Sequence, residues 1–293
     1  LRVYFAINYS QNKLFLKNPF HSKNDLLGTL GLGKIRTEEH FFASKSLGKD
    51  IKFVVFLPPG YLGIKKYPLL FWNDGQDLKA VDFKATTEKL LSQGRIKRFI
   101  GIGVYPQNRM QEYGTTGIPD YKNRGSQAGA YAEFITRELL PFLEEKYSIK
   151  SPGKHVFAGF SLGGLSAFDI TWSHPKIFAK VGVFSGSFWW RSKPVNDHDP
   201  DADRIVIDIL SKSRYREGLK FWLQTGTLDE MEDRNNNGII DSIDDTTDVI
   251  SALEKLGYQS GKDIKYVEVI NGHHNPQTWG KILPDFLQWA FGS

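Results

Sequence analysis

His155-Val156-Phe157-Ala158-Gly159-Phe160-Ser161-Leu162-Gly163-Gly164-Leu165-Ser166-Ala167-Phe168 is the stretch that decides the fold. It opens as an apolar, β-forming run and closes as a helical one, and Gly159 to Gly163 between them spells G-x-S-x-G. A bare match to that pattern arises by chance in roughly one chain of this size in ten, given a usual glycine share near 7%. Its place between a strand and a helix carries the weight. There the serine sits on a tight turn, small neighbours avoid clashes, and the helix N-terminus favours developing negative charge. The competing reading is a glycine-rich turn with Ser161 as a plain helix cap.

Outward from this point, short apolar strands alternate with helical segments, the pattern of parallel β-α-β construction. Upstream, strand 68–72 precedes a helix near 83–92, and strand 99–104 precedes a polar loop and a helix near 128–147. Downstream, strand 181–184 leads to a helix near 204–211, strand 219–224 to one near 247–256, and strand 264–270 to one near 278–291. Before these, 41–59 reads as two antiparallel strands joined at Gly48-Lys49-Asp50. The expectation is a mostly parallel central sheet with antiparallel N-terminal strands and helices on both faces. Residues 35–293 form its single domain, and residues 1–34 form an extension whose β character lies over 3–16.

A serine hydroxyl needs a general base, and the base needs an orienting acid. In this architecture both follow the serine in the chain. His273 and His274 are the histidines that follow the last strand, so one of them is the expected base. Asp229 is the first carboxylate after the strand at 219–224, with Glu230, Glu232 and Asp233 as competitors. Acyl transfer also needs donors for the oxygen that becomes negative. The backbone amides of Leu162, after the serine, and of Gln76, in the Asp74-Gly75-Gln76 turn, are the candidates.

With these parts in hand, the chain resembles an esterase family of the α/β-hydrolase fold that includes esterase D, feruloyl esterases, enterochelin esterases and mycolyl transferases. The resemblance rests on Val55 to Tyr61, Asp74-Gly75-Gln76, Arg109 with Glu112-Tyr113, Glu138 to Phe142, Gly159 to Gly164 and Ser185 to Trp190. It implies Ser161 as nucleophile, Asp229 as acid, and His274 as base because it lies five residues before Trp279. Where many relatives have His-Gly at the oxyanion turn, this chain has Asp74-Gly75. Trp189, Trp190, Arg109 and Tyr113 follow strand ends over the same cleft and are the expected substrate contacts, the aromatics either stacking on substrate or forming a hydrophobic lid and Arg109 either holding a carboxylate or pairing with Glu112.

Asp233 to Asp244 has the spacing of a twelve-residue calcium loop. Asp233, Asn235, Asn237, Asp241 and Asp244 fall at positions 1, 3, 5, 9 and 12, the Ile239 carbonyl at 7, and Gly238 at 6. A structural Ca²⁺ is expected there, with an Asn/Asp-rich polar turn without metal as the competing reading, and no cofactor is expected for catalysis. Weak calcium sites suit calcium levels outside the cell, which points to a periplasmic or extracellular protein. The start at Leu1 rather than Met fits loss of an upstream piece.

Composition sets the outer limits. There is no cysteine, which excludes disulfides, thiolate metal sites and cysteine nucleophiles. The formal charge of +5 is spread without a polybasic block, so no nucleic-acid partner is expected, and no eighteen-residue apolar window signals a membrane span. The reading is a serine ester hydrolase acting on a carbohydrate-linked or phenolic ester. The same triad in an acyltransferase, or a calcium-stabilised binding module, are the competing functions.

Overall fold

The computed structural model describes residues 33–150 and 153–293. The β-rich start expected over 3–16 lies outside the described residues. Eight strands join in one sheet in the order β1-β2-β4-β3-β5-β6-β7-β8. They are β1 (Arg36–Ser44), β2 (Lys49–Leu57), β3 (Leu69–Asn73), β4 (Ile100–Val104), β5 (His155–Phe160), β6 (Phe178–Phe184), β7 (Lys220–Leu228) and β8 (Ile264–His273). β1 and β2 pair antiparallel, β2 joins β4 antiparallel, and every pairing from β4 through β8 is parallel. β3, β4 and β5 are buried along their whole length, as continuous apolar strands covered on both faces must be, whereas β1 at the edge alternates exposed and half-buried residues.

The helices are α1 (Phe83–Ser92), α2 (Arg109–Glu112), α3 (Ala128–Glu133), α4 (Leu140–Lys146), α5 (Ser161–Ser173), α6 (Ile205–Ser211), α7 (Asp241–Lys255) and α8 (Pro276–Phe291). α1 and α8 cover one face of the sheet, around Trp72, Phe160, Phe184 and Phe286. The other face is packed by α3 to α7, around Phe71, Phe157, Leu165, Phe168 and Phe221. The helix expected over 128–147 is interrupted by a π-helical stretch, Phe134–Leu139. Pro141, just beyond it, has no N–H to continue the ladder and would clash with the carbonyl four residues back, so the register changes there.

Register brings the site together. Phe160 pairs with Phe184, and Phe184 with Gln224, so β5, β6 and β7 reach the same level at their C-terminal ends. β7 and β8 run further than their sequence suggests, and after a register shift past Gly226 their last pair is Leu228 with His273. Asp229 and His274 therefore leave two neighbouring strands side by side, on the sheet edge where Ser161 leaves β5.

Candidate active site

Ser161 is the first residue of α5 and has φ 52°, a left-handed conformation that a non-glycine side chain adopts only when its surroundings enforce it. The turn is enforced by contact. A Cβ on Gly159 would lie 2.3 Å from the Gly163 carbonyl oxygen, so strand and helix close on each other only because that position is glycine. Ser161 is half-buried, within reach of solvent. Its hydroxyl lies 3.3 Å from the hydroxyl of buried Ser187, whose N–H donates to the Ser161 carbonyl at 3.2 Å. Leu162 is the second residue of α5, so its N–H has no acceptor within the helix.

A second free donor comes from the end of β3. Asp74 has φ 58° and starts a 3₁₀ turn, Gly75–Lys79, whose first internal bond runs from Asp77 N–H to the Asp74 carbonyl. The Gln76 N–H precedes that bond and is likewise left without an acceptor inside the turn. Buried hydrogen bonds hold this turn against the elbow. The Asn73 amide donates to the Gly163 carbonyl at 2.8 Å, the Tyr131 hydroxyl donates to Asn73 Oδ1 at 2.5 Å, and the Asp74 N–H donates to the Tyr113 hydroxyl at 2.9 Å.

On the acid side, Asp229 is buried, and its Oδ2 accepts from the Gly226 N–H at 2.9 Å. Its Oδ1 is buried with no donor among the described residues, an arrangement that costs free energy unless a donor is nearby. Of the competing carboxylates two are engaged elsewhere, while Glu230 keeps a buried Oε1 without a donor among the described residues. Glu232 accepts from the Met231 N–H, and Asp233 accepts from the amides of Asn237 and Gly238. Burial, aided by the charges of Asp241 and Asp245, pushes the Glu230 carboxyl up to about 7.

His274 stands edge-on to Trp279 with ring centres 5.3 Å apart, and Trp279 in turn stacks on Phe160 at 4.6 Å and donates from its indole to Ser185 Oγ at 2.9 Å. The imidazole is thus located by a ring that rests on the residue before Ser161. Loss of solvent lowers its pKa, the Asp229 carboxylate pulls it back up, and the Arg109 guanidinium lowers it further. Those influences put His274, Asp229 and Arg109 in one neighbourhood. Among the described residues no hydrogen bond joins Ser161 to His274 or His274 to Asp229. Sequence reading named Ser187 and Trp279 only as motif positions and missed these contacts, which depend on pairing between distant strands.

Three expected substrate contacts are placed differently. Tyr113 and Trp190 are 0% exposed, so neither faces the cleft. Tyr113 braces the Asp74 turn, and Trp190 packs where a Cβ on Gly114 or Gly125 would lie about 3 Å from its ring. Arg109 pairs with Asp74 rather than with Glu112, which is fully buried and bound by Lys49 at 2.6 Å. Trp189 is half-buried beside the site, with Arg124 over its ring.

Over Asp233 to Asp244, the backbone turns through Asn236 (φ 55°) and Gly238 (φ 86°), and Asp241 and Asp244 lie in the first turn of α7. The side chains of the loop bond to one another and to its backbone. The Asn235 and Asn237 side-chain amides point their nitrogens at Asp244, and the Ile239 N–H is held by Asn237 Oδ1. Arg234 binds Asp241 through both its N–H and its guanidinium, and also pairs with Asp201 and Asp245. Among the described residues no group of three or more His, Cys, Asp or Glu is arranged to hold a metal ion. No helix there is long and apolar enough to cross a membrane.

The same fold recurs in known proteins. A solved ferulic acid esterase superposes with a TM-score of 0.66 at 17% identity, covering 88% of this chain and 98% of that one. An enterobactin esterase from Shigella flexneri gives 0.69 at 19% identity, covering 87% of this chain and 58% of the other. Among sequences, the chain is 27% identical to YjcH of Bacillus subtilis over 253 residues, 86% of this chain and 95% of that protein. It is 30% identical to the diacylglycerol acyltransferase/mycolyltransferase Ag85A of Mycobacterium leprae over 147 residues, 49% of this chain and 42% of that one. The profile of the family described as "Putative esterase" matches residues 44–290. With an eight-stranded sheet carrying the strand order above and a family match across nearly all of it, the chain belongs to this esterase family and is a carboxylic ester hydrolase of the α/β-hydrolase fold.

Proposed function

We propose that the ester is cleaved through an acyl-serine intermediate, with Ser161 as nucleophile, His274 as base and Asp229 as the group that orients it. The observation that carries this reading is the left-handed Ser161 at the β5–α5 junction, beside a sheet edge from which Asp229 and His274 emerge as neighbours. A change of the Ser161 rotamer moves its hydroxyl from Ser187 toward the imidazole, and catalytic hydrogen bonds of this kind tighten when substrate binds. The oxygen then attacks the carbonyl carbon while its proton passes to His274. The oxyanion is held by the amides of Leu162 and Gln76, and the imidazolium by Asp229. Collapse breaks the bond to the alcohol, which leaves with the proton from His274. Water repeats the sequence on the acyl-serine and releases the acid.

A hollow of about 350 Å³ beside Gly75 and Gln76 has an apolar wall of Val54, Phe56, Phe83 and Tyr105 and a charged rim of Lys79, Asp82, Lys84 and Glu88, which supports an ester with an apolar or aromatic portion and a polar end. Ser161→Ala tests the mechanism. Hydrolysis of aryl acetates and feruloyl esters falls by about 10⁴-fold or more in a variant that stays folded, with Tm within a few degrees of wild type, and a variant that keeps wild-type turnover refutes it. The stretch shared with the mycolyltransferase favours a second outcome, transfer of the acyl group to an alcohol, which product analysis with added alcohols separates from hydrolysis. Donor spacing in Asp233 to Asp244 supports a separate structural proposal, a calcium ion that takes Asp241 from Arg234 and turns the two asparagine amides around.

A further inference from the structure

Arg109 was expected to meet substrate, but its hydrogen bonds run inward. Its Nε donates to Asp74 Oδ1 at 2.9 Å and its Nη2 to Asp74 Oδ2 at 3.0 Å, a two-pronged pair with a carboxylate that is 1% exposed. The same Nη2 donates to the carbonyl of Phe160, the residue before Ser161, at 3.2 Å. One planar group therefore joins the turn bearing Gln76 to the elbow bearing Leu162. The carboxylate lies so close to the elbow that a Cβ on Gly163 would come within 2.6 Å of Asp74 Oδ2. Burial works against the charged guanidinium, and the bonds and charge of Asp74 outweigh it, so Arg109 stays a cation.

We propose that Arg109 is the positioning residue of the oxyanion site, fixing the Asp74-Gly75-Gln76 turn against the nucleophile elbow so that the amides of Gln76 and Leu162 are preset at one separation. This rests on the acyl-serine reading above. The physical reason is that such donors accelerate reaction only when they need no reorganisation as charge develops. A backbone turn of five residues has no rigidity of its own, and Asp74 carries the left-handed φ that aims it. Two of the three guanidinium nitrogens are engaged within the protein, which leaves no two-pronged face for a substrate carboxylate. The Arg109 charge also lowers the His274 pKa, against the pull of Asp229, so its charge and its fork have separable effects.

The test compares wild type with Arg109→Gln, Arg109→Lys and Asp74→Asn, measuring kcat and KM on an aryl acetate, the pH dependence of kcat/KM, and fluorophosphonate labelling. For Arg109→Gln, kcat falls about 10²-fold with KM within about threefold, and the acid limb of kcat/KM moves to higher pH because a cation beside His274 is gone. Arg109→Lys keeps the charge and loses the fork, so kcat drops while the acid limb stays put. Asp74→Asn, should the glutamine variant not fold, gives the same kcat loss through the other partner. A folded Arg109→Gln enzyme with wild-type kcat overturns the proposal, and so does a loss confined to KM, the mark of a substrate contact. Failure of the underlying reading shows separately, as wild-type protein that neither takes the probe nor turns over.

Discussion

At the residue scale, the resting site is defined by which partner holds the Ser161 hydroxyl. Ser187 occupies that role at 3.3 Å, and a hydrogen bond of this kind contributes about 0.5 to 1.5 kcal/mol. In the proposed mechanism it is given up before the proton passes to His274, so it stabilises the resting state and not the transition state. Ser187→Ala is accordingly expected to raise kcat/KM by about two- to tenfold, measured on an aryl ester at neutral pH. A loss greater than tenfold means that Ser187 acts on the reacting atoms. Ser161 was legible from its own neighbourhood, since the glycines that permit the turn lie within three residues of it. The contacts of Tyr113 and Trp190 were not, because an aromatic ring in a loop is exposed or buried according to what packs over it. Here Gly114 and Gly125 leave the space that Trp190 fills.

At the element scale, the order of strands and helices was readable because apolar runs and helical periodicity are local signals. The ends of β7 and β8 were not. Thr225-Gly226-Thr227 and Asn271-Gly272 read as turns in isolation, yet pairing across the two strands carries β7 to Leu228 and β8 to His273. That extension is what places Asp229 beside His274. The segment from Asp233 to α7 poses the opposite case, a strong local motif in which Asp241 is already bound by Arg234 and Asp244 by two asparagine amides, with both carboxylates also favoured by the start of the helix. If calcium takes this loop, millimolar calcium added to chelator-treated protein raises Tm by a few degrees through binding to the folded state alone. An unchanged Tm leaves the loop to its arginine ion pairs.

Across the whole molecule, the sheet is stabilised by burying apolar strands on both faces, and one titratable group is caught in that burial. His155 opens β5, is 0% exposed, and accepts the Leu69 N–H on Nδ1 at 3.2 Å, with burial lowering its pKa to about 4. A neutral imidazole is required there. The unfolded chain takes up a proton near pH 6.5 and the folded one only near pH 4, so the stability it contributes is complete above about 6.5 and is lost as pH falls toward 4, by roughly 3 kcal/mol. Denaturant unfolding from pH 7 to pH 4 is expected to show that decline, and His155→Gln to flatten it.

The central claim concerns one oxygen atom, so the most direct measurement reads that atom. Folded protein is treated with a fluorophosphonate, and the modified peptide is located by mass spectrometry, in wild type and in His274→Ala. One adduct per chain is expected on Ser161 in wild type, with labelling slowed by about 10³-fold or more without the imidazole. A folded wild-type protein with no adduct on Ser161, or with labelling indifferent to His274, would contradict that claim.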